Sequence, residues 1–181
     1  MVSHLARPRF EKITPVHVTL RVSGDVPSLR SARRFTKIRE CFAKARGRFG
    51  LRLVEFSVLG DHLHLIVEAD DSGALSSGMQ GLSIRVAKAI NRMLARSGSV
   101  FADHYHSRLL KTPTELTRAI RYVIENAGHH YGERGADFFS SRGRDALVAL
   151  VRPIGWLLRV GWSRAGPRDR IAPIALHAAG L

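Results

Sequence analysis

Apolar and polar residues follow one another in patterns that separate strands from helices along the first part of the chain. Residues 15–22 alternate apolar and polar side chains, which predicts a first strand. Apolar side chains then recur with the helical period over residues 29–49, which predicts a helix with Ser28 as its N-cap. Residues 51–59 and 62–68 predict a second and a third strand. The chain therefore opens in the order strand, helix, strand, strand.

Local signals mark where the following elements begin and end. Gly60-Asp61 is a two-residue hairpin signal, so the second and third strands are predicted to pair. A long helix is predicted over residues 75–96, and a short strand over residues 107–111. Thr112 to Glu115 combine a capping box with a proline at the first helical position, which predicts a last helix over residues 113–127.

This order of elements predicts the fold class. Strand pairs interleaved with helices indicate an α+β protein with a ferredoxin-like (RRM-like) antiparallel sheet and helices packed on one face. Residues 1–135 are expected to form this domain. Beyond Gly132 the patterns loosen, so residues 136–181 are predicted to be a basic, partly helical C-terminal extension.

The charge balance indicates the kind of partner. Among 181 residues there are 29 Lys+Arg against 15 Asp+Glu, which gives a net charge of +14 and a pI near 11.3. Such a balance favours a polyanionic partner, nucleic acid first. A genome biased toward arginine codons is the alternative, but it does not explain so few acidic residues. The two predicted long helices also place basic residues on one face, where an ordinary solvated surface is the competing interpretation.

Other compositional features limit the compartment. No stretch approaches the roughly 20 apolar residues of a membrane span, and the N-terminus resembles no secretory signal. The lone cysteine, Cys41, allows no internal disulfide, which favours a reducing compartment. We therefore expect a cytoplasmic protein without membrane contact, associated with the nucleoid when it is bound to DNA.

Two histidines on the third predicted strand could hold a metal ion. His62 and His64 are two residues apart on a strand, so both side chains project from the same face. Two imidazoles side by side are a natural bidentate seat for a cation, although such pairs also arise by chance on half-exposed strands. His104 and His106 repeat the spacing around Tyr105, but without the preceding hairpin.

The last predicted helix offers a further possible ligand, with a tyrosine on the same face. Tyr122 and Asn126 are four residues apart and therefore neighbours on one helix face, with Arg118 one turn earlier. That face differs from the apolar stripe of the helix, although an amphipathic packing role for Tyr122 is the alternative. The Asn126 amide oxygen is a hard ligand of the kind that suits Mg²⁺ or Mn²⁺.

These motifs together resemble those of a known family. Residues 54–68, with the hairpin turn and His62-Leu63-His64, resemble the HUH signature of single-tyrosine transposases. Residues 121–126 resemble the tyrosine helix of that family, in which an amide residue follows the nucleophile by four positions. The chain is similar in particular to the REP-associated tyrosine transposases, members of the insertion-sequence 200-like group. The resemblance covers roughly residues 10–130.

The resemblance implies a reaction and the residues that perform it. Tyr122 would be the catalytic nucleophile, and His62, His64 and Asn126 would hold a divalent metal, Mg²⁺ or Mn²⁺. The implied enzyme is a metal-dependent single-stranded DNA endonuclease and strand-transferase that forms a 5′-phosphotyrosine intermediate at hairpin-flanked sites. His106 matches a family position near the DNA. The residues expected to contact nucleic acid are Arg33, Arg34, Lys37, Arg85, Lys88, Arg92, His106, Arg108 and Arg118.

Two other classes of function compete with this one. The first is a non-catalytic nucleic-acid-binding protein on the same fold, either domesticated or inactive. The second is an RNA-recognition-type binder, which would need exposed aromatic residues on its central strands, where this chain has mostly aliphatic residues and histidine. The protein is expected to be a monomer or a homodimer, and Tyr122 could meet the histidines of its own chain or of a partner.

Overall fold

A computed structural model describes residues 9–132, 137–143 and 145–178. Its four strands form one antiparallel sheet in the order β2-β3-β1-β4. The elements are β1 Thr14–Arg21, α1 Ala32–Lys44, β2 Leu51–Val58, β3 His62–Ala69, α2 Ser72–Met93, β4 His106–Leu109, α3 Pro113–Tyr131 and α4 Trp156–Arg159. The α+β class and the ferredoxin-like order of strands and helices are confirmed.

The helices cover both faces of this sheet rather than one. Helices α1 and α2 pack on the face that carries Phe56 and Leu65, where the rings of Phe42 and Phe56 lie 5.1 Å apart. Helix α3 packs on the opposite face and brings the Tyr122 ring to 5.4 Å from the ring of His64. The expectation that all helices share one face is corrected here, because β2 and most of β3 are buried along their length and need cover on both sides.

The predicted helix signals agree with the structure at α3 and differ at α1. Thr112 and Glu115 form the predicted capping box, and α3 continues to Tyr131 before Gly132 ends it at φ 67°. The N-cap of α1 is Ser31, whose side chain accepts from the Arg34 N–H, and not Ser28. Phe49, expected in this helix, lies outside it with φ 58° and is 58% exposed. Apolar periodicity therefore located the helix but placed both of its ends too far out.

The chain after α3 returns to the sheet and packs against β2. The Ser141 N–H donates to the Phe56 carbonyl at 2.9 Å, and the Val151 N–H donates to the Leu53 carbonyl at 2.9 Å. The segment holds α4 and three short 3-10 helices, at Ala146–Ala149, Gly161–Arg164 and Ile174–His177. Within the described ranges no helix is long and apolar enough to cross a membrane.

Two buried glutamates hold this C-terminal segment on the sheet. Glu68 is fully buried and accepts from Arg52 Nε at 2.6 Å and from the N–H groups of Ile154 and Gly155 at 2.9 and 2.7 Å. Glu55 is also fully buried and accepts from Arg142 at 2.7 Å, from the Ile174 N–H at 2.7 Å and from the Ser141 hydroxyl. Burial raises the pKa of Glu55. Charged acceptors of this kind stabilise the docked segment only while each oxygen stays paired.

Candidate active site

Strand β3 and helix α3 bring the predicted histidine pair and the predicted tyrosine together. His62 and His64 project from the same face of β3, with ring centroids 6.2 Å apart. The Tyr122 ring meets the His64 ring edge-on at 5.4 Å. His64 is 7% exposed, whereas Tyr122 is 49% exposed. One imidazole is thus buried beneath a phenol that remains open to solvent, and both belong to the same chain.

The neighbours of His64 on β1 are site residues that the sequence did not reveal. The ladder between β1 and β3 places Thr19 directly opposite His64. The Thr19 hydroxyl lies 3.2 Å from His64 Nδ1, and His17 Nε2 lies 3.3 Å from the same atom. The His17 ring also meets the Tyr122 ring edge-on at 5.8 Å. His17 therefore contacts both His64 and Tyr122.

His17 and His64 are both neutral at physiological pH. Burial lowers the pKa of His64 to about 4, and the nearby His17 adds to the shift. Burial also lowers the pKa of His17 to about 4, with a further contribution from Arg108. A neutral imidazole has a free nitrogen lone pair, which is the form that binds a metal ion.

The hairpin turn orients the third histidine of the cluster, His62. His62 Nδ1 lies 2.9 Å from a carboxylate oxygen of Asp61. When this carboxylate accepts the Nδ1 proton, the lone pair is left on Nε2, as is common for histidines that ligate metals. The Gly60-Asp61 turn therefore sets the hairpin and also orients the His62 ring, with Nδ1 toward Asp61.

Asn126 lies between two points at which α3 contacts the hairpin strands. Tyr122 touches His64, and at the end of the helix the Tyr131 hydroxyl accepts from the Gly60 N–H at 2.9 Å. Asn126 is one turn after Tyr122, is 2% exposed, and its buried Nδ2 has no hydrogen-bond partner among the described residues. A buried amide group without a hydrogen-bond partner is costly. The oxygen and nitrogen ends of an amide are nearly alike in shape, so either end could occupy this position. The Asn126 side chain therefore suits a position at which an additional group is bound.

These residues fit a divalent cation with mixed nitrogen and oxygen ligands. In the part of the chain that the structure describes, no group of three or more histidine, cysteine, aspartate or glutamate side chains could hold a metal ion. If His62 and His64 hold a cation, a third protein ligand in the described part of the chain would have to be of another residue type. The Asn126 amide oxygen is of the right chemistry for Mg²⁺ or Mn²⁺.

Three predicted nucleic-acid contacts lie on the same face as Tyr122. On the edge strand β4, His106 is opposite Thr19 and Arg108 is opposite His17, so both side chains share the face of the histidine cluster. Both are exposed. Arg118 lies one turn before Tyr122 and forms a 3.5 Å ion pair with Asp169 of the C-terminal segment. Two arginines and one histidine therefore share the face on which the phenol is exposed.

Most of the other predicted contacts lie on the opposite face of the sheet. Helices α1 and α2 enclose a groove of about 1070 Å³. The predicted contacts that line it are Arg33, Lys37, Arg85, Lys88 and Arg92. Among the described residues that line it, Glu40 is the one acid, and it pairs with Lys37 at 2.6 Å. Arg34 is instead partly engaged by its own chain, because its Nε donates to the Ser28 carbonyl at 2.6 Å.

The second histidine pattern is placed differently from the first. Tyr105 is half-buried against the hydrophobic core, and His106 begins the exposed edge strand β4. Tyr122, by comparison, contacts two histidines and is open to solvent. The structure thus brings His62, His64 and Tyr122 into one cluster, with Asn126 one helical turn away.

Comparison with known proteins identifies the family. The profile of the family described as "Transposase IS200 like" matches residues 15–126, which include both histidines, Tyr122 and Asn126. The chain belongs to the IS200-like transposase family, and this membership supports an enzyme role. No curated protein matches the chain in sequence.

One solved structure shows the same fold. A REP-associated tyrosine transposase bound to a REP hairpin has a TM-score of 0.63 and 13% identity, over 77% of this chain and 82% of that one. A Deinococcus radiodurans protein assigned as a transposase has a TM-score of 0.47 and 17% identity, over 70% of this chain and 96% of that one. The second similarity is too low to carry an argument. The first supports the fold.

Proposed function

We propose that the protein is a metal-dependent single-stranded DNA endonuclease and strand-transferase with Tyr122 as its nucleophile. The observation that carries this proposal is the contact of an exposed phenol with a buried, neutral histidine on the hairpin strand of a transposase-family chain. A tyrosine that only filled the core would be buried. Tyr122 instead presents about half of its surface, so a phosphodiester can reach its hydroxyl.

The proposed reaction is a transesterification. The Tyr122 hydroxyl attacks the scissile phosphorus and loses its proton, and the bond between that phosphorus and the 3′ oxygen of the preceding nucleotide breaks. The 3′ oxygen leaves with the bonding electrons and takes up a proton, so the products are a 5′-phosphotyrosine and a free 3′-hydroxyl. Attack by a 3′-hydroxyl reverses the step and rejoins DNA. Because one ester replaces another, no ATP is needed.

The residues around the phenol have separate roles in this step. A free tyrosine has a pKa of about 10, so little phenolate is present at neutral pH. Mg²⁺ or Mn²⁺ held by His62, His64 and Asn126 would neutralise charge on the phosphate and favour the ionised phenol. His106, Arg108 and Arg118 would bind the flanking phosphates of the substrate strand.

We further propose that the two basic surfaces bind different parts of one DNA. The unpaired strand would lie across the Tyr122 face. The groove between α1 and α2 would hold the phosphates of a hairpin stem through Arg33, Lys37, Arg85, Lys88 and Arg92. The hairpin-bound relative supports this assignment of a hairpin substrate. DNA-bound protein would then be found with the nucleoid.

We also propose a division of the chain. Residues 1–135 would form the catalytic domain, and residues 136–181 would support it from the second face of the sheet. Tyr122 meets His64 of its own chain, so a single chain would hold a complete site.

A non-catalytic DNA-binding protein is the second candidate. It is favoured by the basic groove, because this surface lies on the face away from Tyr122 and would bind phosphates with or without chemistry. The two candidates share binding and differ in the covalent intermediate.

The covalent intermediate provides the test. The protein would be incubated with labelled single-stranded hairpin oligonucleotides and Mn²⁺, then analysed on a denaturing gel for a protein-DNA adduct. We expect an adduct that is lost in Tyr122→Phe and upon chelation but retained in Tyr105→Phe. An adduct that persists in Tyr122→Phe would exclude Tyr122 as nucleophile. Tight binding without any adduct would favour the non-catalytic candidate.

A further inference from the structure

Two side chains of β1 converge on a single nitrogen of His64. The Thr19 hydroxyl lies 3.2 Å from His64 Nδ1, and His17 Nε2 lies 3.3 Å from it. Thr19 is the direct cross-strand partner of His64, so the β1–β3 ladder fixes this contact. The side chain of a threonine is also stiff about χ1, because it is branched at Cβ. Thr19 can therefore hold the imidazole in one orientation.

The chemistry of imidazole gives this contact a consequence. A neutral histidine has one N–H and one lone pair on its two ring nitrogens. When Nδ1 of His64 carries the proton, its N–H donates a hydrogen bond to the side chains of Thr19 and His17. The lone pair is then left on Nε2, on the other side of the ring. Asp61 contacts Nδ1 of His62 at 2.9 Å, so both histidines of the pair are held through the same ring nitrogen.

We propose that Thr19 and His17 are positioning residues for the metal ligand His64. They share a hydrogen bond donated by its Nδ1–H, which keeps the Nε2 lone pair free for the cation. His17 has a second contact, because its ring meets Tyr122 edge-on at 5.8 Å, and it therefore also holds the phenol against the ligand. This inference rests on the part of the proposed function in which His64 binds a cation.

The first experiment measures metal binding without DNA. Mn²⁺ affinity would be determined by electron paramagnetic resonance for the wild type and for Thr19→Val, which keeps the shape of the side chain but loses its hydroxyl. Loss of an outer contact of this kind weakens metal affinity by roughly 10- to 100-fold, and we expect that loss here. Thr19→Ser restores the hydroxyl and should bind nearly as the wild type does. Thr14→Val, on the same strand with its hydroxyl on the Lys12 carbonyl, is the matched control and should change nothing.

Nitrogen-15 NMR of the metal-free protein reads the tautomer directly. The wild type should show His64 protonated at Nδ1, and Thr19→Val should show a mixture of the two tautomers. A wild-type His64 protonated at Nε2 would overturn the inference. The inference would also be overturned if Thr19→Val bound Mn²⁺ as tightly as the wild type while His64→Ala had lost binding. In that case the proposed function would stand. Equal binding by the wild type and His64→Ala would instead remove His64 as a ligand and overturn both.

The role of His17 is separated by two substitutions. His17→Phe keeps a ring against Tyr122 but removes the nitrogen, so we expect a loss of Mn²⁺ affinity only. His17→Ala removes both contacts, so adduct formation should also slow when Mn²⁺ is saturating. If His17→Phe binds Mn²⁺ as the wild type does, His17 does not position His64. If both variants form the adduct equally fast at saturating Mn²⁺, the ring does not position Tyr122.

Discussion

The two faces of the sheet are built from the same strands but differ in what they bury. One face carries residues such as Phe56 and Leu65, packs against α1 and α2, and has an aromatic and aliphatic core. The other buries His64, Glu55 and Glu68, each of which has polar partners. Because alternate residues of a strand face opposite ways, a single strand such as β3 supplies both environments. The polar cluster that contains Tyr122's neighbour His64 therefore lies on one face only, and substitutions on the two faces should differ in their effects on activity and on stability.

The largest expected effect is a loss of activity, and it follows from a substitution on the face of the sheet that carries His64. His64→Ala should lower the rate of adduct formation by at least about 1000-fold, equivalent to roughly 4 kcal/mol in the barrier. The physical reason is that both the proposed cation seat and the contact with Tyr122 are lost. A denaturing-gel time course with Mn²⁺ measures the rate. His129→Ala, an exposed histidine at the end of α3, should behave as the wild type. Full activity in His64→Ala would show that the cluster around His64 does not take part in the reaction.

Substitutions on the opposite face, which carries Phe56 and packs against α1 and α2, should instead lower the stability of the protein. Phe56→Ala removes a fully buried ring that packs between Phe35 and Phe42, and should lower the free energy of unfolding by about 3–5 kcal/mol. Urea denaturation followed by circular dichroism measures this loss. Phe49→Ala removes a ring that is 58% exposed and should change stability by roughly 0.5 kcal/mol or less. Similar losses in the two variants would contradict the assignment of the core.

The buried histidines should make stability depend on pH. The pKa of His64 is lowered to about 4, so between pH 6.5 and 4 the unfolded chain binds a proton that the folded protein refuses. Stability should therefore be fully present above pH 6.5 and fall as the pH decreases through this window. His64→Gln should reduce the fall by on the order of 2–3 kcal/mol. Urea titrations at pH 7 and pH 4.5 measure the difference. The raised pKa of Glu55 acts in the opposite sense and is common to both proteins. An equal fall in the variant would show that His64 is protonated when folded.

The smallest expected effect concerns the basic groove behind the apolar face. The double variant Arg85→Ala with Lys88→Ala should weaken DNA binding and reduce the slope of log affinity against log salt by roughly 1–2. Fluorescence anisotropy at several salt concentrations measures this slope. The adduct rate at saturating DNA should not change, because the groove is on the face away from Tyr122. Arg159→Ala, an exposed arginine of α4, is the control. A slower adduct rate in the double variant at saturating DNA would show that the groove contributes to the reaction at Tyr122 as well as to DNA binding.

Local signals in the sequence predicted the elements and part of the site. The Gly60-Asp61 turn, the Thr112 capping box and the shared face of His62 and His64 all follow from residues a few positions apart, and the structure shows each of them. Tyr122 and Asn126 follow from helix periodicity in the same way.

Non-local contacts could not be predicted from the same signals. The contact of Thr19 and His17 with His64 depends on which strands pair, and the cover of the second face depends on where α3 and the C-terminal segment pack. Glu68, for example, meets the Ile154 and Gly155 N–H groups from far along the chain. One helix start was also placed at Ser28 rather than Ser31, because both serines precede an apolar run. The fold class was therefore predictable, whereas the contacts of His64 across the sheet were not.

The short edge strand β4 has a consequence for the shape of a bound nucleic acid. A molecule that touches the groove between α1 and α2 and also reaches Tyr122 must turn around one edge of the sheet. The edge strand β4 has only four residues, and its His106 and Arg108 are exposed, so it is a short edge to pass. Duplex DNA has a persistence length of about 150 base pairs, so a sharp bend over so short a distance costs several kcal/mol. An unpaired stretch would make the same turn at lower cost, so under the proposed function this edge would favour a stem joined to an unpaired strand over a continuous double helix.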